Sequence, residues 1–237
     1  MRLGMGLGLG NLLSGGPITG MSNKFSFNFD GSNDYLEIAD TDGLDVGTND
    51  FTFSAWVYLS DASENYILSK GDADNHYGFR INGNRRISYE FEVSTTNKSA
   101  TDDGTQLTLG QWHHVAVVFD RDGSTYRYLD GVNTGTNDVL SGNTGSLSTT
   151  DNLNVGRKYS GHHYFDGLID EVGIWAYALA ATDIAKIASK PSDLSKASSY
   201  VADRSSTLKL WLRAGDKVLP EEDASIARSD FYTDFDG

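Results

Sequence analysis

The 237-residue chain contains no cysteine, which excludes a disulfide framework and any thiolate metal site. Stability must then come from packing, from assembly, or from a hard cation held by oxygens. Proline is scarce, with three residues against 26 glycines. Together with frequent Ser, Thr, Asn and Asp, this composition punctuates the chain every few residues, as many short strands joined by tight turns require and a helical bundle does not. Long apolar runs are missing too: nothing approaches the roughly 20 residues of a membrane-spanning helix. Positive charge is in deficit, 19 basic residues against 33 acidic for a net of -14, so phosphate-backbone binding of nucleic acid is disfavoured. The carboxylate surplus has two readings, solubility or oxygen-ligand calcium sites drawn from a few of the acids. What is present is 38 % hydrophobic and 11 % aromatic residues, enough for one core of sandwich or barrel size.

Residues 1–23 read as a glycine-rich N-terminal arm. Glycine at every second position of Met1–Gly10 opposes a stable apolar helix, so the opening is not taken as a secretory signal. Its apolar residues, Leu3, Met5, Leu7, Leu9, Leu12 and Leu13, suit packing along the same domain or in a groove on a neighbouring chain. Ordering about twenty such residues costs on the order of 20 kcal/mol, which an arm enclosed between chains offsets better than a half-exposed one.

From Lys24 the pattern becomes period two, with Phe25, Phe27 and Phe29 on one face. Further strands are predicted at Tyr35–Ile38, Phe51–Leu59, Tyr66–Lys70, Tyr77–Ile81, Arg86–Val93, Trp112–Asp120, Tyr126–Leu129, Asn152–Val155 and Phe165–Ala176. Asp30-Gly31, Asn82-Gly83, Asp122-Gly123 and Asp130-Gly131 supply the turns. One helix is expected at about Ala181–Ser189, ended by Pro191. A C-terminal extension, 191–237, adds one strand around Leu208, Leu210 and Leu212.

Six motifs in this order, among them Phe29-Asp30-Gly31-Ser32-Asn33-Asp34-Tyr35, Trp112-His113-His114-Val115 and Phe165-Asp166-Gly167-Leu168-Ile169-Asp170-Glu171-Val172, resemble the laminin-G-like domain of the concanavalin A-like lectin/glucanase superfamily. The resemblance covers roughly residues 25–190. It implies an all-β, two-sheet antiparallel jelly-roll sandwich with one short helix. In one respect the chain departs from the pattern: a stretch similar to the family's opening strand, Leu210-Trp211-Leu212-Arg213, follows the jelly roll, as in a circular permutation. That strand, with Trp211, either completes its own sheet or is donated to a neighbour. The opening residues also resemble the starts of structural proteins of tailed bacteriophages. This likeness implies a virion structural protein, on head or tail, that assembles with copies of itself and other virion proteins and presents its surface to a host glycan; the alternative is a carbohydrate-binding adhesion module.

The resemblance further implies a structural calcium ion held by Asp30, by Gly31 through its carbonyl, and by Asp170; the same Asp30 turn also reads as plain side-chain-to-backbone bonding. For a sugar, the loop residues Asp72, Asp74, Asn75 and His76, with Tyr77 as aromatic platform, group polar planar side chains at one sandwich end. Laminarinase-type relatives use a Glu-x-Asp-x-x-Glu run, which this sequence lacks. Glu90 and Glu92 are the nearest imitation, so no hydrolase activity is expected. The pairs His113-His114 and His162-His163 are read as structural or as a turn, because adjacent strand residues face opposite ways.

Overall fold

The computed structural model describes residues 26–93, 96–140, 145–189 and 207–214. The five arm leucines and Met5 named above lie outside them, as does most of the extension. Thirteen strands, one 3-10 turn at Asp42–Leu44 and one helix, α1 (Ala181–Ser189), are formed in this part of the chain. The six-stranded sheet consists of β2 (Leu36–Ile38), β4 (Asn65–Gly71), β5 (Asn75–Ile81), β6 (Ile87–Val93), β7 (Thr96–Ser99) and β11 (Leu153–Val155), in the order β2-β11-β4-β5-β6-β7. Its partner contains β1 (Phe27–Asp30), β3 (Phe51–Leu59), β8 (Trp112–Phe119), β9 (Thr125–Leu129), β10 (Val132–Asn133), β12 (Asp166–Trp175) and β13 (Leu208–Leu212). That sheet runs β1-β12-β3-β8-β9-β10, with β13 also on β12. All pairings between these strands are antiparallel. Two antiparallel sheets and one helix make the expected jelly-roll sandwich.

Period-two alternation builds the core. Phe51, Phe53, Ala55, Val57 and Leu59 of β3 point inward, which sends Thr52, Ser54, Trp56 and Tyr58 to the outer face. Opposite them, Tyr77, Phe79 and Ile81 of β5 and Ile87, Tyr89, Phe91 and Val93 of β6 supply the other inner face. Phe51 stacks on Phe119 with ring centroids 4.2 Å apart. A second apolar cluster forms outside the sandwich, where Ile184 and Ile187 of α1 cover Ala116, Val118, Tyr128 and Trp175.

Loops are gathered by buried cations. Lys70 pairs with Asp40 and Asp45 at 2.9 Å each and donates to the Thr149 carbonyl at 2.7 Å. Arg127 reaches Asp103 at 2.6 Å and the carbonyls of Thr101 and Thr136 at 2.8 and 2.7 Å. Arg121 donates to the carbonyls of Gly47 and Gly145.

One edge of β12 is shared by two strands from distant parts of the chain. β1 pairs with Asp166–Ile169 and β13 with Val172–Trp175, in the same direction and end to end. The strand after the jelly roll thus completes the sheet of its own chain. Where the two meet, β12 shifts register against β3 between Asp170 and Gly173, and Glu171 adopts φ +54°. β7 and β10 go beyond the expected strands. Both lie at sheet edges with mostly exposed side chains, so no apolar alternation marks them.

Candidate functional site

The predicted cation ligands do not converge. Asp30 faces Asp166 across the β1–β12 ladder, so Asp170 lies four residues further along β12, about 13 Å away at the usual strand rise. Asp30 Oδ1 accepts the backbone N–H groups of Ser32 and Asn33 at 2.8 and 3.1 Å, and these bonds hold its carboxyl below the usual range. Gly31 sits at φ +72° and donates its N–H to the Phe165 carbonyl at 2.9 Å. A Cβ there would lie 2.9 Å from the Asp166 Cβ, so the turn requires glycine for close approach. Asp170 is buried, and its Oδ1 accepts the N–H of Ala214 at 2.9 Å. Among the described residues no three His, Asp or Glu side chains are grouped to hold a metal ion. The Asp30, Gly31 and Asp170 set therefore does not fit one calcium ion.

The predicted sugar loop divides. Asp72, Asp74 and Asn75 form a turn at the start of β5, where Asp72 Oδ1 accepts the N–H groups of Asp74 and Asn75 at 2.8 and 2.9 Å. Tyr77, expected as a platform, is instead fully buried and donates its hydroxyl to the Leu44 carbonyl at 3.3 Å. Its parity with Phe79 and Ile81 dictates that placement. His76 has the opposite parity and joins the outer face of the six-stranded sheet.

Glu90 sits on that outer face. Its Oε1 accepts the Tyr66 hydroxyl at 2.8 Å and faces the Lys158 ammonium at 3.0 Å, and its Oε2 pairs with Arg80 at 2.9 Å. Burial pushes this carboxyl up, but the bonds from Tyr66 and Lys158 and the charge of Arg80 outweigh it and leave Glu90 below the usual range. A carboxylate held ionised in this way cannot serve as a general acid. The histidines find separate partners. His113 pairs through Nδ1 with Asp130 at 2.8 Å, His162 bonds Ser160, and His163 stacks on Tyr66.

A site that sequence reasoning missed lies on the outer face of the seven-stranded sheet, beside the area covered by α1. The ladder sets Leu168, Tyr58 and Trp112 in one row and Asp170, Trp56 and His114 in the next. Tyr58 and Trp112, both half-buried, meet edge to face at 6.0 Å, and Trp56 meets His114 at 5.6 Å. Trp56 Nε1 and both ring nitrogens of His114 are buried without hydrogen-bond partners. Alternation against Phe53, Ala55 and Val57 was the available signal, because it sends Trp56 and Tyr58 outward. Beyond this strip, Trp211 donates Nε1 to Glu171 at 2.5 Å, and Arg213 pairs with the same carboxylate at 2.8 Å. Trp211 thus anchors β13 within the chain.

Comparison with solved structures finds the same sandwich fold in several proteins. A heptameric SAP-like pentraxin from Limulus polyphemus superposes with a TM-score of 0.53 at 18 % identity, covering 68 % of this chain and 80 % of the pentraxin. Domain 4 of AbnA, an extracellular arabinanase of Geobacillus stearothermophilus solved in complex with arabinotriose, gives 0.52 at 21 % identity over 69 % of this chain and 76 % of that one. A putative carbohydrate-binding protein from Bacteroides ovatus gives 0.54 at 21 % identity, over 79 % of this chain and half of its own length. At such identities the likeness speaks to the fold. A family model matches residues 30–185, the greater part of the chain, and by that match the protein belongs to the concanavalin A-like lectin/glucanases superfamily.

Proposed function

We propose that this domain is a non-catalytic glycan-binding module whose ligand lies along Tyr58, Trp112 and Leu168 on the seven-stranded sheet. The observation that carries this reading is the pair of half-buried aromatic rings at 6.0 Å, bordered by buried, unpartnered donors on Trp56 and His114. Ligand sites combine an apolar and aromatic lining with a few placed polar groups, and the C–H faces of a sugar ring suit such rings. Two similar solved structures, the arabinanase domain in complex with arabinotriose and the putative carbohydrate-binding protein, support it. Hydrolysis is not part of the reading, because retaining or inverting chemistry needs a paired acid and base. Glu90 is committed to Tyr66, Lys158 and Arg80, and Glu92 accepts the side-chain amide of Asn97 at 3.0 Å.

A second reading sets the same module in a bacteriophage virion, as a capsid decoration or tail component that presents its glycan face. Two observations favour it: the Gly/Leu pattern of residues 1–13, and the placement of Ser26 and Ala214 on one sheet edge, flanking Asp170 and Glu171. Segments leaving at one point suit joint contact with a neighbouring subunit.

Binding of the full chain to immobilised neutral oligosaccharides tests the first reading. Trp112→Ala and Tyr58→Ala should each weaken binding at least about tenfold, roughly 1.4 kcal/mol, with unchanged far-ultraviolet dichroism. Wild-type affinity in both variants sinks the aromatic-strip site. A chain lacking residues 2–20 separates the two readings, since it should keep sugar binding but lose oligomerisation or particle incorporation. Assembly at wild-type stoichiometry would remove the virion reading.

A further inference from the structure

We infer that the opposite face of the sandwich carries a second saccharide site, centred on His76 of β5 and the half-buried Tyr159 in the loop before β12. The inference rests on the glycan-binding reading for its ligand class, but on different residues. His76 is 4 % exposed, and neither of its ring nitrogens has a hydrogen-bond partner. Buried polar groups are almost always bonded, so an exception calls for an explanation. The nearest acceptor does not supply one. Glu90 Oε1 lies 3.8 Å from His76 Nε2, and it is already engaged by the Tyr66 hydroxyl and the Lys158 ammonium.

A hydroxyl oxygen at about 2.8 Å from each of two atoms 3.8 Å apart forms an unstrained triangle. One sugar hydroxyl can therefore accept from the imidazole Nε2–H and donate its single proton to Glu90 at once. The aromatic surface needed beside it is also present. The Tyr159 ring lies 4.7 Å from the buried His76 ring, tilted by 37°, and is the more exposed of the two. That cover is attached through a loop tip whose residues 160–163 are exposed, with open space around Gly161, where a Cβ would meet nothing within 4 Å. Access to the imidazole then requires the Tyr159 ring to rotate aside while Lys158 keeps its pairing with Glu90.

Charge selects the class of sugar. Glu92 faces His76 directly across the β5–β6 ladder, and the fields of Glu90, Glu92 and Asp72 all fall on Tyr159. The nearby cations, Lys158 and Arg80, are both committed to Glu90. Three carboxylates against two cations leave a net negative surrounding, which disfavours a uronate or sialylated chain and accepts hydroxyl donors, so the ligand is a neutral oligosaccharide. The two faces together make each chain bivalent, and linking two sites raises avidity for a multi-chain glycan surface without any new contact.

Calorimetric titration of the full chain with cellotriose, maltotriose and arabinotriose, with trigalacturonate as the anionic control, tests the inference. The neutral trimer that binds should fill two sites per chain. Tyr159→Ala should remove one and Trp112→Ala the other, while Tyr159→Phe keeps both. Trigalacturonate should bind the Tyr159 site at least tenfold more weakly. In the Trp112→Ala background the 15N resonances of the His76 ring should shift on saturation. Unchanged stoichiometry and affinity in Tyr159→Ala, or a silent His76 ring, would overturn the second site and leave the aromatic strip standing; His76 would then simply hold an internal water. No binding of any neutral trimer by the wild-type chain sinks both sites.

Discussion

His114 has no exposed surface and no hydrogen bond on either ring nitrogen, and burial drives its pKa down to about 4 against the opposing pull of Asp130. In the unfolded chain an imidazole takes up its proton near pH 6.5. Between pH 6.5 and 4 the unfolded state therefore binds a proton that the native state refuses, and stability falls as pH drops through that window. The loss attributable to this one residue is about 3 kcal/mol. Replacing His114 by Leu keeps an apolar side chain of similar reach and removes the proton, so urea unfolding at pH 7 and pH 4.5 should show a smaller gap in the variant than in the wild type. An identical gap would mean that other groups carry the acid sensitivity. Which side chains are buried was only partly legible from sequence. Tyr77 shares its parity with Phe79 and Ile81, and that alternation alone assigns it to the core rather than to a sugar platform. Lys70 and Arg127 gave no such signal, because a cation is buried only where carboxylates and carbonyls from distant loops meet it, and those meetings are set by topology.

Among the elements, β13 has the least ordinary position. It enters the sheet after the helix, lies end to end with β1, and is fixed at its C-terminal end by Asp170 and Glu171. The Ile-Asp-Glu-Val stretch thus serves a strand junction, where the resemblance assigned Asp170 to a cation. Removing the acceptor for the Ala214 N–H should cost about 1–3 kcal/mol locally. In Asp170→Ala, the amides of Leu210 and Leu212 should exchange with deuterium roughly 10–100-fold faster, while those of Ala55 and Val117 in the central strands keep wild-type protection. Uniform acceleration through both strands would instead show that β13 opens only with the whole sandwich. Elements were legible from sequence where alternation was strong. β3 and α1 match their predicted limits, because each has one apolar face and clear breakers. β7, with Thr96, Asn97, Lys98 and Ser99, has neither apolar side, and only its partner β6 makes it a strand.

Viewed as a whole molecule, a chain with a net charge of -14 and no cysteine must hold its loops by something other than disulfides. A bound calcium ion was one expected answer. The structure offers another, in which Lys70, Arg121 and Arg127 extend from the strands or loops and collect carboxylates and carbonyl oxygens from loops far away in sequence. A tethered ammonium among Asp40, Asp45 and Thr149 occupies the role of a cation that cannot dissociate. Chelation should then leave the melting temperature unmoved, because stabilisation by mass action requires a ligand that the native state can lose. Lys70→Ala should by contrast destabilise strongly. Deleting one partner of a buried pair costs about 3–5 kcal/mol, and the partial exposure of Asp40 and Asp45 sets the expected loss at the lower end, about 3 kcal/mol. Thermal scans in EDTA and in excess calcium, run on the wild type and on Lys70→Ala, compare the two. Should EDTA lower the wild-type melting temperature by several degrees, a metal is bound after all, and the carboxylates that crowd Asp166, Asp30 and Asp61 at the other sandwich end become the first place to look for it; if it does not, and Lys70→Ala melts early, the internal cations alone hold the loops.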